Sequence, residues 1–560
     1  MSSDKQLNDQ IQYHDPGIAG RMAAAFIDSP LSSILLIATL AIGMLGLFIT
    51  PRQEDPQIAV PMVDIFVGYP GASAEQTAKQ VAAPLERVMS EIEGVDHVYS
   101  ASRRGQAMVT VQFDVGEEME SSLVKLYDKI ESNMDIVPAG ATMPLVKPKA
   151  IDDVPTVAVT LWSDEVEDSF LRKLATDILQ RVKEVADTGP GFIVGGREEQ
   201  IRVEVSIPKL ASYNLSIGQV AAAIRSANSE LEAGHYELGN NAFKVYSGTF
   251  LSNASDVAKL VVGVSNGGPV FLADVAEISA GPSETSNIVR HYTGLSYSGD
   301  IPSDGAPAVT IAFSKIKGSN GITVSKQIID RIEQFKGYLI PDNVHVVITR
   351  DYGKTAEDKV NELLFKLVVA TGVVTLLIWW FLGFRPAFVT LLIIPNVILI
   401  TVFGAWLTGF TIDRVSLFAL IFSIGILVDD AIVVVENIYR RWLMAGQTSK
   451  EIAVDAVREV GNPTIIATLT VIAALLPMAF VGDMMGPYMM PIPALGSIAI
   501  MYSLFAAFVF TPWLTYKLRP SLKTLHKTEE AEERFQQRVG KFYRKFIFRL
   551  MENRLLGWVT

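Results

Sequence analysis

The sequence predicts an α+β membrane protein: a polytopic α-helical transmembrane bundle of six spans plus the start of a seventh, carrying a large outer α+β region of ferredoxin-like, split βαβ subdomains with one inserted subdomain. Three observations carry this. The 560 residues are 49% hydrophobic with a positive mean hydropathy, too apolar and too long for one soluble domain. Six runs approach or exceed the roughly 20 apolar residues that a helix needs to cross a bilayer core. Between the first and second of them lies a long segment of strand and helix patterns with ordinary turn punctuation.

In chain order, residues 1–30 form a polar segment. No small-residue cleavage site follows the first apolar run, at 31–50, so it reads as an uncleaved signal anchor. Helices 2–6 are expected at 367–384, 387–412, 415–438, 464–482 and 491–515. Residues 520–553 read as an amphipathic segment with an apolar face at Phe535, Val539, Phe542 and Phe546, and 554–560 as the start of helix 7. Basic residues resist translocation, and Arg385, then Arg440, Arg441 and Lys450, then Lys517, Arg519, Lys523 and Lys527 fall in alternate loops. Those loops are therefore cytoplasmic, with the N-terminus, and the segment from Pro51 to about Lys359 is outside, which in a bacterium with two membranes is the periplasm.

The outer segment opens with an alternating run, Val60–Gly71, that ends in a Pro-Gly turn. Ser73–Gly94 has a Ser N-cap, a helical apolar period and a terminal Gly. A hairpin turning at Arg104-Gly105, a helix over Glu117–Met134 and a strand near Leu145–Lys149 complete a β-α-β-β-α-β order. A second unit of this plan occupies 151–200 and 286–352, interrupted by an inserted subdomain at 201–285. Inside the insertion, Leu231–Val245 is rich in Gly and Asn and reads as a projecting loop.

Only the fourth span carries internal charge: Asp429, Asp430 and Glu436. On a helix the adjacent aspartates point about 100° apart, so both can line a broad interior groove. A carboxylate at mid-bilayer costs roughly 2.5–3.5 kcal/mol on insertion scales, and two together resist simultaneous ionisation. That pattern suits groups that take up a proton from one side and release it to the other as their surroundings change. Glu436 lies one heptad after Asp429 and nearer the cytoplasmic end, with Asn437 placed similarly to Asp430. These two are candidate supports for the inner exit of the path.

Other chemistry is disfavoured. There is no cysteine, and the six histidines stand at no metal-ligand spacing. The net charge of -12 argues against nucleic acid as a partner. The glycines of Gly189–Gln200 lack the Lys-Ser/Thr of a Walker loop and open no helix, and no nucleophile elbow is present, so the chain reads as a secondary transporter and not an enzyme. The methionines of Gly482–Pro493 read as a flexible apolar loop.

The run "GILVDDAIVVVENIYRR" (Gly425–Arg441) resembles the fourth-helix signature of the resistance-nodulation-division efflux pumps, hydrophobe and multidrug exporter branch. "FIDSP" (Phe26–Pro30), "YPGASAEQ" (Tyr69–Gln76), "LPMAFVG" (Leu476–Gly482) and "TPW" (Thr511–Trp513) support it, and together these motifs span nearly the whole chain. The resemblance implies a homotrimeric permease in the bacterial inner membrane, energised by the proton-motive force with no cofactor. Its periplasmic units are porter subdomains, and the insertion is a docking subdomain whose loop, with Gly234, His235, Tyr236 and Gly239, reaches into the neighbouring protomer. Asp429 and Asp430 are then proton-relay acids. A periplasmic adaptor (membrane fusion) protein and an outer-membrane channel complete the path for amphipathic organic substrates taken from the periplasm or the outer leaflet of the inner membrane. The alternatives are an exporter of metal ions or lipids in the same superfamily, or a half-transporter that serves as an assembly partner without transport of its own. Leu550–Val559 has a plan similar to Phe26–Leu35, as in half of a duplicated transporter. A second half, or a partner chain, is expected to supply the lysine that pairs with the aspartates.

Overall fold

In the computed structural model, residues 17–521 and 540 are described, apart from 59, 266, 297–300 and 484, and the side chains of 363, 367 and 428 are left out. Residues 1–16, nearly all of the amphipathic segment expected at 520–553, and the helix start at 554–560 lie outside the described residues. The architecture is mixed helix and sheet, with six helices long and apolar enough to cross a membrane among the described residues. The chain divides into two units, 1–156 with 314–327 and 351–560, and 157–313 with 328–350.

The first unit opens with α1 (Gly17–Phe26), and a tight turn leads into α2 (Leu31–Ile49). In that turn the Ser32 hydroxyl donates to the Phe26 carbonyl at 2.5 Å. Strand β1 (Met62–Gly68) follows. A Ser73 capping box then starts a helical stretch, with Gln76 N donating to Ser73 Oγ at 3.2 Å and Ser73 N to Gln76 Oε1 at 2.9 Å. The stretch continues through a π-turn at Ala78–Ala82 into α3 (Ala83–Ser90). β2 (Val95–Arg103), β3 (Gln106–Phe113), α4 (Met119–Ser132) and β4 (Leu145–Lys149) complete an antiparallel sheet in the order β2-β3-β1-β4. Period-2 patterning sends Val63, Ile65 and Val67 to one face, where they bury with Met89 and Leu126 from the helices. The opposite face carries Asp64, which accepts from Thr110 Oγ1 at 2.6 Å and pairs with Lys149 at 3.3 Å.

The second unit contains β5 (Val157–Trp162), α5 (Asp168–Val182), β6 (Thr188–Val194), β7 (Glu199–Val205) and α6 (Ile217–Ala227). Next come β8 (Ser229–Leu238), β9 (Asn241–Thr249), β10 (Val261–Ser265), β11 (Gly268–Phe271), β12 (Ala276–Pro282), β13 (Arg290–Tyr292) and β14 (Asp304–Lys315). Helix α7 (Gly321–Phe335) begins in the first unit and enters the second at Ile328, and β15 (His345–Asp351) follows. One sheet runs β13-β14-β5-β15 with β6 also on β14, while β7 pairs β12 and β8 pairs β9. The inserted region has its own core of Leu210, Val220, Val257, Val270 and Leu272. Its β8–β9 ribbon turns at Gly239 and Asn240, whose φ values of 59° and 62° suit a two-residue hairpin that twists with its strands.

In the same unit the Trp162 ring lies against His291 at 4.9 Å and His345 at 4.4 Å. Burial pushes the His291 imidazole below its ordinary value, because the charged form loses its hydration. A depressed folded value means that the stability is fully present above the unfolded value, about 6.5, and is lost as pH falls through the folded one. Thermal midpoints of this unit are expected to fall more steeply between pH 7.5 and 5 in the native protein than in His291→Phe. Equal slopes would contradict it.

The membrane helices are α2, α8 (Tyr352–Leu382), α9 (Phe384–Leu407), α10 (Arg414–Ala445), α11 (Lys450–Leu475) and α12 (Pro491–Lys517). Only Gly383, at φ 93°, separates α8 from α9. The apolar stretches of α9 and α12 are 56% and 61% buried and those of α8 and α11 only 12% and 11%, so α9 and α12 form the inside of this bundle with α10. Val434, Val435, Ile438 and Trp442 of α10 pack with Ala506, Ala507 and Phe510 of α12 and with Ala453, Ala456 and Val457 of α11. Small residues dominate the α11 and α12 sides, which lets the helix backbones approach closely.

Candidate functional site

Helix α10 carries Asp429 and Asp430 near its middle. Ala431 on α10 and Ala499, Ala506 and Ala507 on α12 are buried at the α10–α12 seam, and between them Ser503 reaches Asp430. The Ser503 hydroxyl lies 3.0 Å from Asp430 Oδ2 and 3.0 Å from the Leu427 carbonyl. A hydroxyl has one proton to give and two lone pairs to accept with. It can therefore donate to an ionised Asp430, or donate to Leu427 while accepting from a protonated one. Asp430 is half-buried and Asp429 exposed, so the two point apart and do not both line an interior groove among the described residues. Among the described residues neither acid forms an ion pair, and the polar partner of Asp430 is neutral.

The structure places the other residues of interest in two further sites. Asn437 is buried two turns along α10, where its amide donates to the Ala456 carbonyl at 2.8 Å and to Glu459 Oε2 at 3.1 Å. Its own Oδ1 accepts from Arg440 at 2.8 Å, and Arg441 donates to Glu459 at 2.8 Å. This knot fastens the ends of α10 and α11. Asn437 is thus occupied within the knot and is not joined to Asp430, while Glu436 beside it is exposed. Gly234, His235, Tyr236 and Gly239 lie on the β8–β9 ribbon, which is exposed throughout except at the half-buried Gly234. Tyr236 stacks on Phe243 at 5.2 Å across the ribbon, which stiffens it.

Sequence reasoning missed Ser503. A lone serine in an apolar helix ordinarily bonds its own backbone one turn back, so its presence in the sixth span gives no signal of a partner on the fourth.

Six helices long and apolar enough to cross a membrane among the described residues, paired carboxylates on one of the inner ones and split βαβ sheets in the same chain fit a polytopic membrane protein of the resistance-nodulation-division superfamily, which the family match shows. The chain belongs to the AcrB/AcrD/AcrF family, whose model matches residues 22–559. It is 29% identical over 502 residues to multidrug resistance protein MdtC of Pantoea ananatis (strain AJ13355), covering 89% of this chain and 48% of that one. Against MdtC of Pectobacterium carotovorum subsp. carotovorum (strain PC1) the identity is 27% over 520 residues, 92% of this chain and 49% of that one. Against MdtC of Escherichia coli O1:K1 / APEC it is 28% over 545 residues, 96% of this chain and 52% of that one. The chain thus spans about half the length of the curated relatives it matches.

Proposed function

We propose that this chain forms part of an inner-membrane permease that exports amphipathic organic compounds from the periplasm or the outer leaflet in exchange for protons. The observation that carries the reading is Asp430, a carboxylate inside a membrane helix whose hydroxyl partner can serve either protonation state. Family membership and relatives named for multidrug resistance support the substrate class. Asp429 and Asp430 act as the relay pair, and Glu436 lies at the inner end of their path. Asn437 holds that end of α10 in place. Residues beyond this chain supply the relay lysine.

The first four-stranded unit and the second sheet act as porter subdomains, with 201–285 as the docking subdomain. The ribbon bearing Gly234, His235, Tyr236 and Gly239 engages a neighbouring protomer of a homotrimer, and an adaptor and an outer-membrane channel complete the exit path. The N-terminus is cytoplasmic and the sheet-bearing region periplasmic.

The test is made on the full-length transporter in proteoliposomes, with a lipophilic cationic dye as probe. A pH gradient is expected to drive dye movement, and dye to stimulate proton movement. Dye movement that persists unchanged after the gradient is collapsed would sink the reading. In the same assay Ser503→Ala is expected to slow export about tenfold, the worth of one hydrogen bond to a charged group. An unchanged rate would remove Ser503 from the relay.

A further inference from the structure

We propose that Gln53 is a coupling residue: its buried amide ties the cap of the acid-bearing helix α10 to the strip of chain that holds the first turn of the porter helix α7, so that movement of α10 is passed outward. The inference rests on the proton-driven reading.

The junction lies wholly within the first unit. Where the chain leaves α2 it forms a short parallel bridge, Arg52 with Ile412, just before α10. Gln53 N donates to the Ile412 carbonyl at 3.1 Å, Ile412 N to Pro51 at 2.9 Å and Arg414 N to Glu54 at 3.2 Å. Beside this strip Gln53 Nε2 donates to Thr411 Oγ1 at 3.1 Å, and that hydroxyl passes its own proton to Asp413 Oδ2 at 2.9 Å. Asp413 is the N-cap of α10, its Oδ1 accepting from Val415 N and Ser416 N at 2.9 Å. Gln53, Thr411 and Asp413 are 7%, 5% and 1% exposed, so water does not compete for these bonds.

The other edge of the same strip meets α7. The Arg52 carbonyl accepts from Gly321 N at 2.9 Å, and a Cβ at Gly321 would stand 3.3 Å from that oxygen. One turn on, Ser325 Oγ donates to Asp351 Oδ1 at 2.5 Å, and Asp351 in turn caps α8 through Lys354 N at 2.9 Å. The first turns of α7 are thus strapped to the end of α2 and the start of α8, while the main-chain bridge holds that strip beside residues 412–414 and the Gln53 amide adds the buried side-chain link to the cap of α10. The bridge keeps the strip in place, and the Gln53–Thr411–Asp413 chain makes the contact rigid enough for an axial shift of α10 to be passed on without loss. An isolated structural bond would stabilise the fold but would not set how much transport accompanies each proton.

The test measures proton uptake and dye export together in proteoliposomes of the full-length transporter carrying Gln53→Leu, which keeps the side-chain bulk and removes the donor. Dye-stimulated proton uptake is expected to persist while dye exported per proton falls about fivefold or more, the lower end of site-to-site coupling. Thr411→Val cuts the chain on its other side and is expected to do the same, which covers the case in which one variant fails to fold. An unchanged ratio in the folded variant, or export and proton uptake falling in equal proportion, would overturn the inference. Asp430→Asn is run alongside. If that variant still exports dye against a pH gradient, the proton-driven reading has failed and not the coupling.

Discussion

Asp430→Asn in the full-length transporter is expected to reduce proton-driven export by about 100-fold or more while leaving the protein folded. Asparagine has the shape of aspartate and can still accept from Ser503, 3.0 Å away in the native structure, so packing at the α10–α12 seam survives. What is lost is the change of charge. A bound proton must shift the balance of conformations by several kcal/mol to move a state from minor to dominant, and an amide has no second charge state with which to do so. Stability is expected to hold or rise, because a buried charge is costly in membrane. Asp429→Asn is expected to be similarly inactive, since it removes the other carboxylate of the proposed relay pair. The measurement is dye export and proton uptake set beside a detergent thermal melt, and export at native rates in either variant would remove that acid from the relay.

A second large effect is expected where α2 crosses α9. A Cβ added at Gly43 would sit 2.6 Å from Leu399 Cβ and 2.7 Å from the Leu399 carbonyl carbon. At Gly46 it would sit 2.7 Å from Phe403 Cα. Backbone atoms cannot rotate aside as a flexible side-chain tip does, so α9 must retreat along that edge. Overpacking costs about 1–3 kcal/mol per site, and in a bilayer no hydrophobic drive compensates for lost close contact between helices. Gly43→Val and Gly46→Val together are expected to lower the detergent melting temperature by about 10 °C, or to prevent insertion altogether. Gly425→Ala, at a glycine whose added Cβ would meet no atom within 4 Å, is the matched control on α10. A double variant that melts with the native protein would show that the α2–α9 contact carries little of the fold.

How much of this was readable in advance differs by element, for physical reasons. The first split βαβ unit was legible because its signals are local: alternation in β1, the Ser73 box and the turn at Gly105 all act within a few residues. Helix α8 was only partly legible. Hydropathy marks its apolar part from Leu367, but the helix begins at Tyr352 because Asp351 caps it and Glu362 pairs with Lys359 and Lys366 at 3.2 and 2.7 Å along one face. The acids of α10 were conspicuous, since charge in an apolar run is rare. Ser503 and Gln53 were not. Their partners lie 73 and 358 positions away, and a neutral side chain carries no mark of a distant bond. For Asn437, helical periodicity gives its position relative to Asp430 but not its partners: Glu459 and Arg440, which decide where its amide points, are set by the packing of α11 on α10 and by the next turn.

The single residue between α8 and α9 has a mechanical meaning. Gly383 holds φ 93° and ψ 175°, a conformation open to glycine alone, and a Cβ there would touch nothing. The joint therefore leaves no loop to absorb a displacement, and α8 and α9 also pack along their length, Ala370 and Val374 against Ile394 and Ile398. A shift of the second membrane helix is handed to the third through the joint and the packed seam alike.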